Sequence, residues 1–129
     1  MKGLRISVVT AEADGRPGEY SVTEFEGGAD DLRAALGGFI EPIPTNNIVT
    51  MWVNEEGKFH GLPINRLAMD IWIRWDDYRC MSLGRDWLAG DVIVTGGVDR
   101  AGRTGDLTEV GRSWVLAVAR DAGAVIGMI

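Results

Sequence analysis

Trp52-Val53-Asn54-Glu55-Glu56-Gly57-Lys58-Phe59-His60-Gly61-Leu62-Pro63-Ile64-Asn65-Arg66-Leu67-Ala68 packs a strand end, a turn and a helix start into one stretch. On its amino-terminal side Ile48, Thr50, Trp52 and Asn54 alternate with Val49, Met51 and Val53, a period of two that predicts a strand, apolar on one face and mixed on the other. Glu55-Glu56-Gly57-Lys58 reads as a tight turn with Gly57 at the left-handed position, and Lys58-Phe59-His60 as a short returning strand. Beyond Pro63 the apolar residues Ile64, Leu67, Ala68, Ile71, Trp72 and Trp75 fall at three-and-four spacing, which predicts a helix, with Arg66, Asp70 and Arg74 on another face.

Working outward, the amino-terminal half reads as sheet with one short helix. Leu4, Ile6 and Val8 alternate with Arg5, Ser7 and Val9, giving a first strand over Lys2 to Ala11. Ala13-Asp14-Gly15-Arg16-Pro17-Gly18 turns the chain, and Glu19 to Phe25 returns as a second strand, making a hairpin. Its buried side is ambiguous, because Tyr20 and Val22 lie on one face and Phe25 on the other. Asp30-Asp31 places acid at the start of a short helix through Leu36, which Gly37-Gly38 ends. Phe39 to Pro44 is extended, and its two prolines suit an edge strand.

The carboxy-terminal half is less regular. Asp76 to Leu88 reads as a loop with at most a helical turn, Val92 to Thr95 as a short buried strand, and Gly96 to Gly105 as an exposed turn or hairpin. Thr108 with Glu109 opens a last helix that Gly123 ends, its apolar positions including Val110, Trp114, Val115 or Leu116, Val118 and Ala119. The apolar tail Ala124 to Ile129 is expected to dock as a strand or to bury at a subunit contact. Together these elements predict an α+β fold built as ββαββαβα: a mainly antiparallel sheet of about five strands with two to three helices packed on one face. At 129 residues the chain fits a single domain over 1–129, with the helix and tail 108–129 available for oligomerisation.

Composition narrows the function. With 46% hydrophobic and 25% charged residues the chain resembles an ordinary soluble domain, and no apolar run reaches the roughly 20 residues of a membrane span. No signal-peptide pattern follows Met1, so the cytoplasm is the expected compartment. One cysteine, Cys80, and one histidine, His60, cannot make a zinc site, so no metal or cofactor is expected. A net charge of -6 argues against non-specific nucleic-acid binding.

No catalytic constellation emerges. Glu55, Glu56, Lys58 and His60 are the nearest approach to an acid-base set, but successive hairpin residues diverge where proton transfer needs convergence. Asn65 and Arg66 at a helix start could hold an anion; the plainer reading is that Asn65 caps the helix and Arg66 pairs with Asp70. The candidate ligand-binding set is therefore Asn54, Glu56, His60, Asn65 and Arg66. A second candidate surface is aromatic: Trp75, Tyr78, Arg79, Met81 and Trp87 have the composition of a protein-interface hot spot.

Asn54-Glu55-Glu56-Gly57, Gly61 to Ala68 and Gly90-Asp91-Val92-Ile93-Val94-Thr95-Gly96 resemble domain-of-unknown-function family 3846, found in small proteins of bacteriophages and other mobile elements. The resemblance spans the first strand to Gly97 and leaves Trp72 to Trp87 and the last helix and tail outside the pattern. It implies a phage origin and brings no reaction with it. The expected function is that of a small phage-encoded accessory protein that binds a host or phage protein without catalysis; the alternative is a nucleotide or small-ligand binder of anti-defence type.

Overall fold

The structure is a computed structural model that describes residues 1–44, 48–56, 61–75 and 88–127. Its strands are β1 (Lys2–Thr10), β2 (Glu19–Glu26), β3 (Ile40–Pro44), β4 (Val49–Asn54), β5 (Val92–Gly96) and β6 (Val125–Ile126); its helices are α1 (Ala29–Leu36), α2 (Arg66–Trp75) and α3 (Glu109–Asp121). All six strands form one sheet in the order β3-β4-β5-β1-β2-β6, antiparallel except for β2 and β6. The α+β reading holds. The tail supplies the additional strand: Val125 and Ile126 pair with Ser21 and Val22, and the Gly127 N–H donates to the Val22 carbonyl at 2.7 Å.

Alternation along the strands sorts their side chains onto two faces. Leu4, Ile6, Val22, Val49, Met51, Val92 and Val94 point to one face, where they pack with Leu67, Ala68, Ile71 and Trp72 of α2 and Val115, Leu116, Val118 and Ala119 of α3. Phe25 and Ile93 point to the other, where Leu32 and Leu36 of α1 cover them with Ile40 and Trp52 at the margin. Two helices thus share one face as expected, and α1 takes the opposite one. The ambiguity of the second strand is thereby resolved: it is buried on both sides, Tyr20 and Val22 towards the helix pair and Phe25 towards α1.

Local chemistry sets the element ends. The Asp31 carboxylate accepts from the Gly28 N–H at 2.8 Å at the start of α1, and Gly37, at φ 87°, ends that helix. Thr108 caps α3 by accepting from the Gly111 N–H at 3.1 Å. Within α3 the apolar face read in the sequence holds at Val115, Leu116, Val118 and Ala119 and differs in the first turn, where Gly111 is buried against Val49 while Val110 is 73% exposed. The Gly96–Gly105 stretch contains a small bridge, Val98 to Thr104, whose turn is tied by the Asp99 carboxylate to the Ala101 and Arg103 N–H groups. Strand β3 lies at the edge of the sheet, with Pro42 and Pro44 removing two N–H donors that another strand could have used.

Candidate functional site

Ile64, counted with the helix stripe in the sequence, lies ahead of α2 and forms a bridge with Ala89. Around it Pro63 to Asn65 run against Leu88 to Gly90: the Asn65 N–H donates to the Leu88 carbonyl at 2.8 Å and the Gly90 N–H to the Pro63 carbonyl at 2.7 Å. Two stretches that resembled the same family are therefore one structural unit.

Asn65 is its centre and is fully buried. Its carboxamide oxygen accepts from the Ala68 N–H at 3.0 Å, the bond of a helix cap, while its Nδ2 donates to the carbonyls of Ile6 (3.0 Å) and Gly90 (2.9 Å). One side chain thus closes α2 onto β1 and onto the chain entering β5. Each polar atom has a partner, so the amide is buried without loss. Gly90 completes the unit, since at φ 80° it holds a conformation that side chains disfavour, with Leu62 packed over it.

Asp91, the next residue, does the same for the opposite face. Its carboxylate pairs with Arg5 at 2.7 Å and accepts from the Ser7 hydroxyl (3.1 Å) and the Val8 N–H (3.2 Å), next to the register shift between Val8 and Thr10. Arg5 in turn donates to the Ala35 carbonyl at 3.2 Å, tying α1 down. A cation in mid-strand at Arg5 is the signal in the sequence that a carboxylate had to face it.

Arg66 is exposed at the start of α2 but is not paired with Asp70 as expected. Its Nη2 donates to Glu12 at 2.8 Å and its Nε at 3.4 Å, and its N–H donates to the Tyr20 hydroxyl at 3.2 Å. The reason is reach: Glu12 stands in the β1–β2 connection, over the start of α2, and offers both carboxylate oxygens. This pairing holds the Glu12 carboxyl below its ordinary range and raises the Arg66 guanidinium. Beside the pair, Pro17, Gly18, Tyr20, Leu67, Asp70 and Ala122 wall a recess of about 190 Å³.

Asn54 belongs elsewhere, on the α1 side. Its Nδ2 donates to the Leu36 carbonyl at 2.9 Å and its Oδ1 accepts from the Glu56 N–H at 2.8 Å, so it fastens the end of α1 and shapes the turn after β4. The structure therefore does not bring Asn54 together with Asn65 and Arg66. His60, Tyr78, Arg79, Met81 and Trp87 lie outside the described residues, as does the side chain of Trp75. Among the described residues, no three His, Cys, Asp or Glu side chains gather as metal ligands, and no helix is long and apolar enough to cross a membrane.

A family model described as Domain of unknown function (DUF3846) matches residues 6–115. The chain belongs to that family. No curated protein and no solved structure matches it. The matched span of this DUF3846 domain runs past Gly97 into α3, so the Trp72–Trp87 stretch lies inside it. It also contains both halves of the Asn65–Gly90 unit, whose polar groups are spent on the fold.

Proposed function

We propose that this DUF3846 protein is a small accessory protein, encoded by a phage or mobile element, that acts in the host cytoplasm by binding a host or phage protein and performs no catalysis. The observation that carries the reading is where the aromatic segment is anchored. Residues 76–87 leave the chain at the end of α2 and rejoin it at Leu88, which is bonded to Asn65 at the start of the same helix. The segment containing Tyr78, Arg79, Met81 and Trp87 thus lies in the chain between the end of α2 and a residue bonded to Asn65. Binding residues carried between fixed points of a rigid scaffold are a recurrent arrangement, and aromatic residues with arginine supply the anchoring contacts.

A second reading is a nucleotide or small-ligand binder of anti-defence type. It draws on the recess beside Arg66, where Glu12 already occupies the guanidinium and Asp70 adds a second acid. An anionic ligand would have to displace Glu12, which favours the protein-binding reading. The test is a pull-down from host lysate with the intact chain. A specific partner lost with Trp87→Ala or Arg79→Glu is the expected result, and capture unchanged by both substitutions would remove this segment as the interface.

A further inference from the structure

The β1–β2 hairpin continues beyond its ladder, whose last pair is Thr10 with Glu19. Residues 11–17 then form a tip closed on itself: Ala13 and Arg16 exchange both backbone hydrogen bonds, at 3.2 and 2.8 Å, around Asp14 (φ 48°) and Gly15 (φ 77°). Two consecutive left-handed residues make a tight reverse turn that needs no support from the rest of the protein. Among the described residues, Glu12 makes the tip's side-chain hydrogen bonds to another element, both of them with Arg66.

The root of the tip is held quite differently. On β1, Asp91 fixes the Ser7 hydroxyl and the Val8 N–H beside the register shift. On the other strand Gly18 is so closely packed that a Cβ would sit 2.8 Å from the Thr10 carbonyl oxygen and 2.9 Å from the Tyr20 hydroxyl. The recess lies between the tip, α2 and the residue after α3, lined by Pro17, Leu67 and Ala122. A self-contained turn on a fixed root, joined to the body through the half-exposed Glu12–Arg66 pair, has the form of an element that opens locally without the sheet.

We propose that residues 11–17 are a flap latched by Glu12 onto Arg66, so that Glu12 is an internal competitor for the guanidinium and Arg66 meets an external group only when the flap lifts. The contact is autoinhibitory in form. It holds whichever functional reading is correct, because it concerns access to Arg66 and not the identity of what arrives.

A nitroxide tests it. With Cys80 replaced by Ser, Ala13→Cys carries the label at the tip, and the amides of Arg66 to Asp70 are read by NMR. In the latched protein these amides are broadened. Glu12→Gln is expected to restore most of their intensity while the amide positions of Ile6 and Val22 stay unchanged, which shows that the sheet is intact. The exchange pair Glu12→Arg with Arg66→Glu is expected to bring the broadening back. Equal broadening in the parent and in Glu12→Gln, or none in the parent, would overturn the latch.

Discussion

Asn65 and Arg66 are neighbours in the chain and opposites in the structure. Asn65 has no exposed surface and satisfies two carbonyls and one N–H that lie on three separate segments. Arg66 keeps 51% of its side chain in solvent and pairs with one carboxylate that is itself 31% exposed. Both looked like ligand contacts in the sequence, since both open a helix. What separates them is the alternative each polar group has when its partner is removed: the atoms around Asn65 have no water to turn to, and those around Arg66 do.

The largest expected effect is therefore at Asn65. Replacing it by Ala removes the α2 cap and takes a donor from the buried Ile6 and Gly90 carbonyls, of which Ile6 also stands in the β1–β5 ladder opposite Val92. A cap alone is worth about 0.5–2 kcal/mol, and the stranded Gly90 carbonyl adds roughly 1–3, so the loss should be about 1.5–5 kcal/mol. Urea denaturation should show a lower midpoint at an unchanged slope. A loss no larger than a cap would mean that water reaches the Gly90 carbonyl and that the unit is less closed than its geometry.

Gly90→Ala probes the same unit through the backbone and should cost less, about 1–2 kcal/mol for an alanine held at a left-handed φ. The added Cβ would lie 2.8 Å from Leu62 Cδ1, the end of a flexible side chain, so crowding can be relieved by rotation. The midpoint shift should fall between those of Asn65→Ala and wild type. A loss as large as that of Asn65→Ala would mean that Leu62 cannot move and that packing also fixes this turn.

The same contrast explains what could be read in advance. Period-two runs in β1 and β4, the β-branched run of β5 and the three-and-four stripe of α2 are local patterns, and they predicted the elements well. So did Pro42 and Pro44 at the sheet edge and Thr108 at the start of α3, because each acts on its own backbone. The cap at Asn65 was legible for the same reason. Its two further bonds were not, since they reach 59 and 25 residues along the chain. Asp91 with Arg5 and Glu12 with Arg66 are likewise 86 and 54 residues apart, and no local rule selects Glu12 over the nearer Asp70. Val110 was misplaced because the helix stripe is broad and a buried Gly111 leaves no apolar mark.

Arg66 is the place to look for the smallest effect on stability. Arg66→Ala should lower the denaturation midpoint by a small, measurable amount at neutral pH, because a solvent-screened pair gives back most of what it gains. Its signature should appear in acid. Glu12 has a lowered pKa in the folded protein, so its pairing stabilises the fold above the ordinary carboxylate range and is lost as the pH falls through the lowered value. Arg66 stays charged throughout, being raised from a value already far above this window. Between neutral pH and about pH 4.3 the wild-type and Arg66→Ala midpoints should run in parallel; below it the wild type should fall more steeply, and the two should converge. Curves that stay parallel down to acid unfolding would show that Glu12 and Arg66 are not paired in solution. Convergence with an Asn65→Ala loss already complete at neutral pH would place the two neighbours on separate footings: one holds the fold together, and the other is held in reserve on its surface.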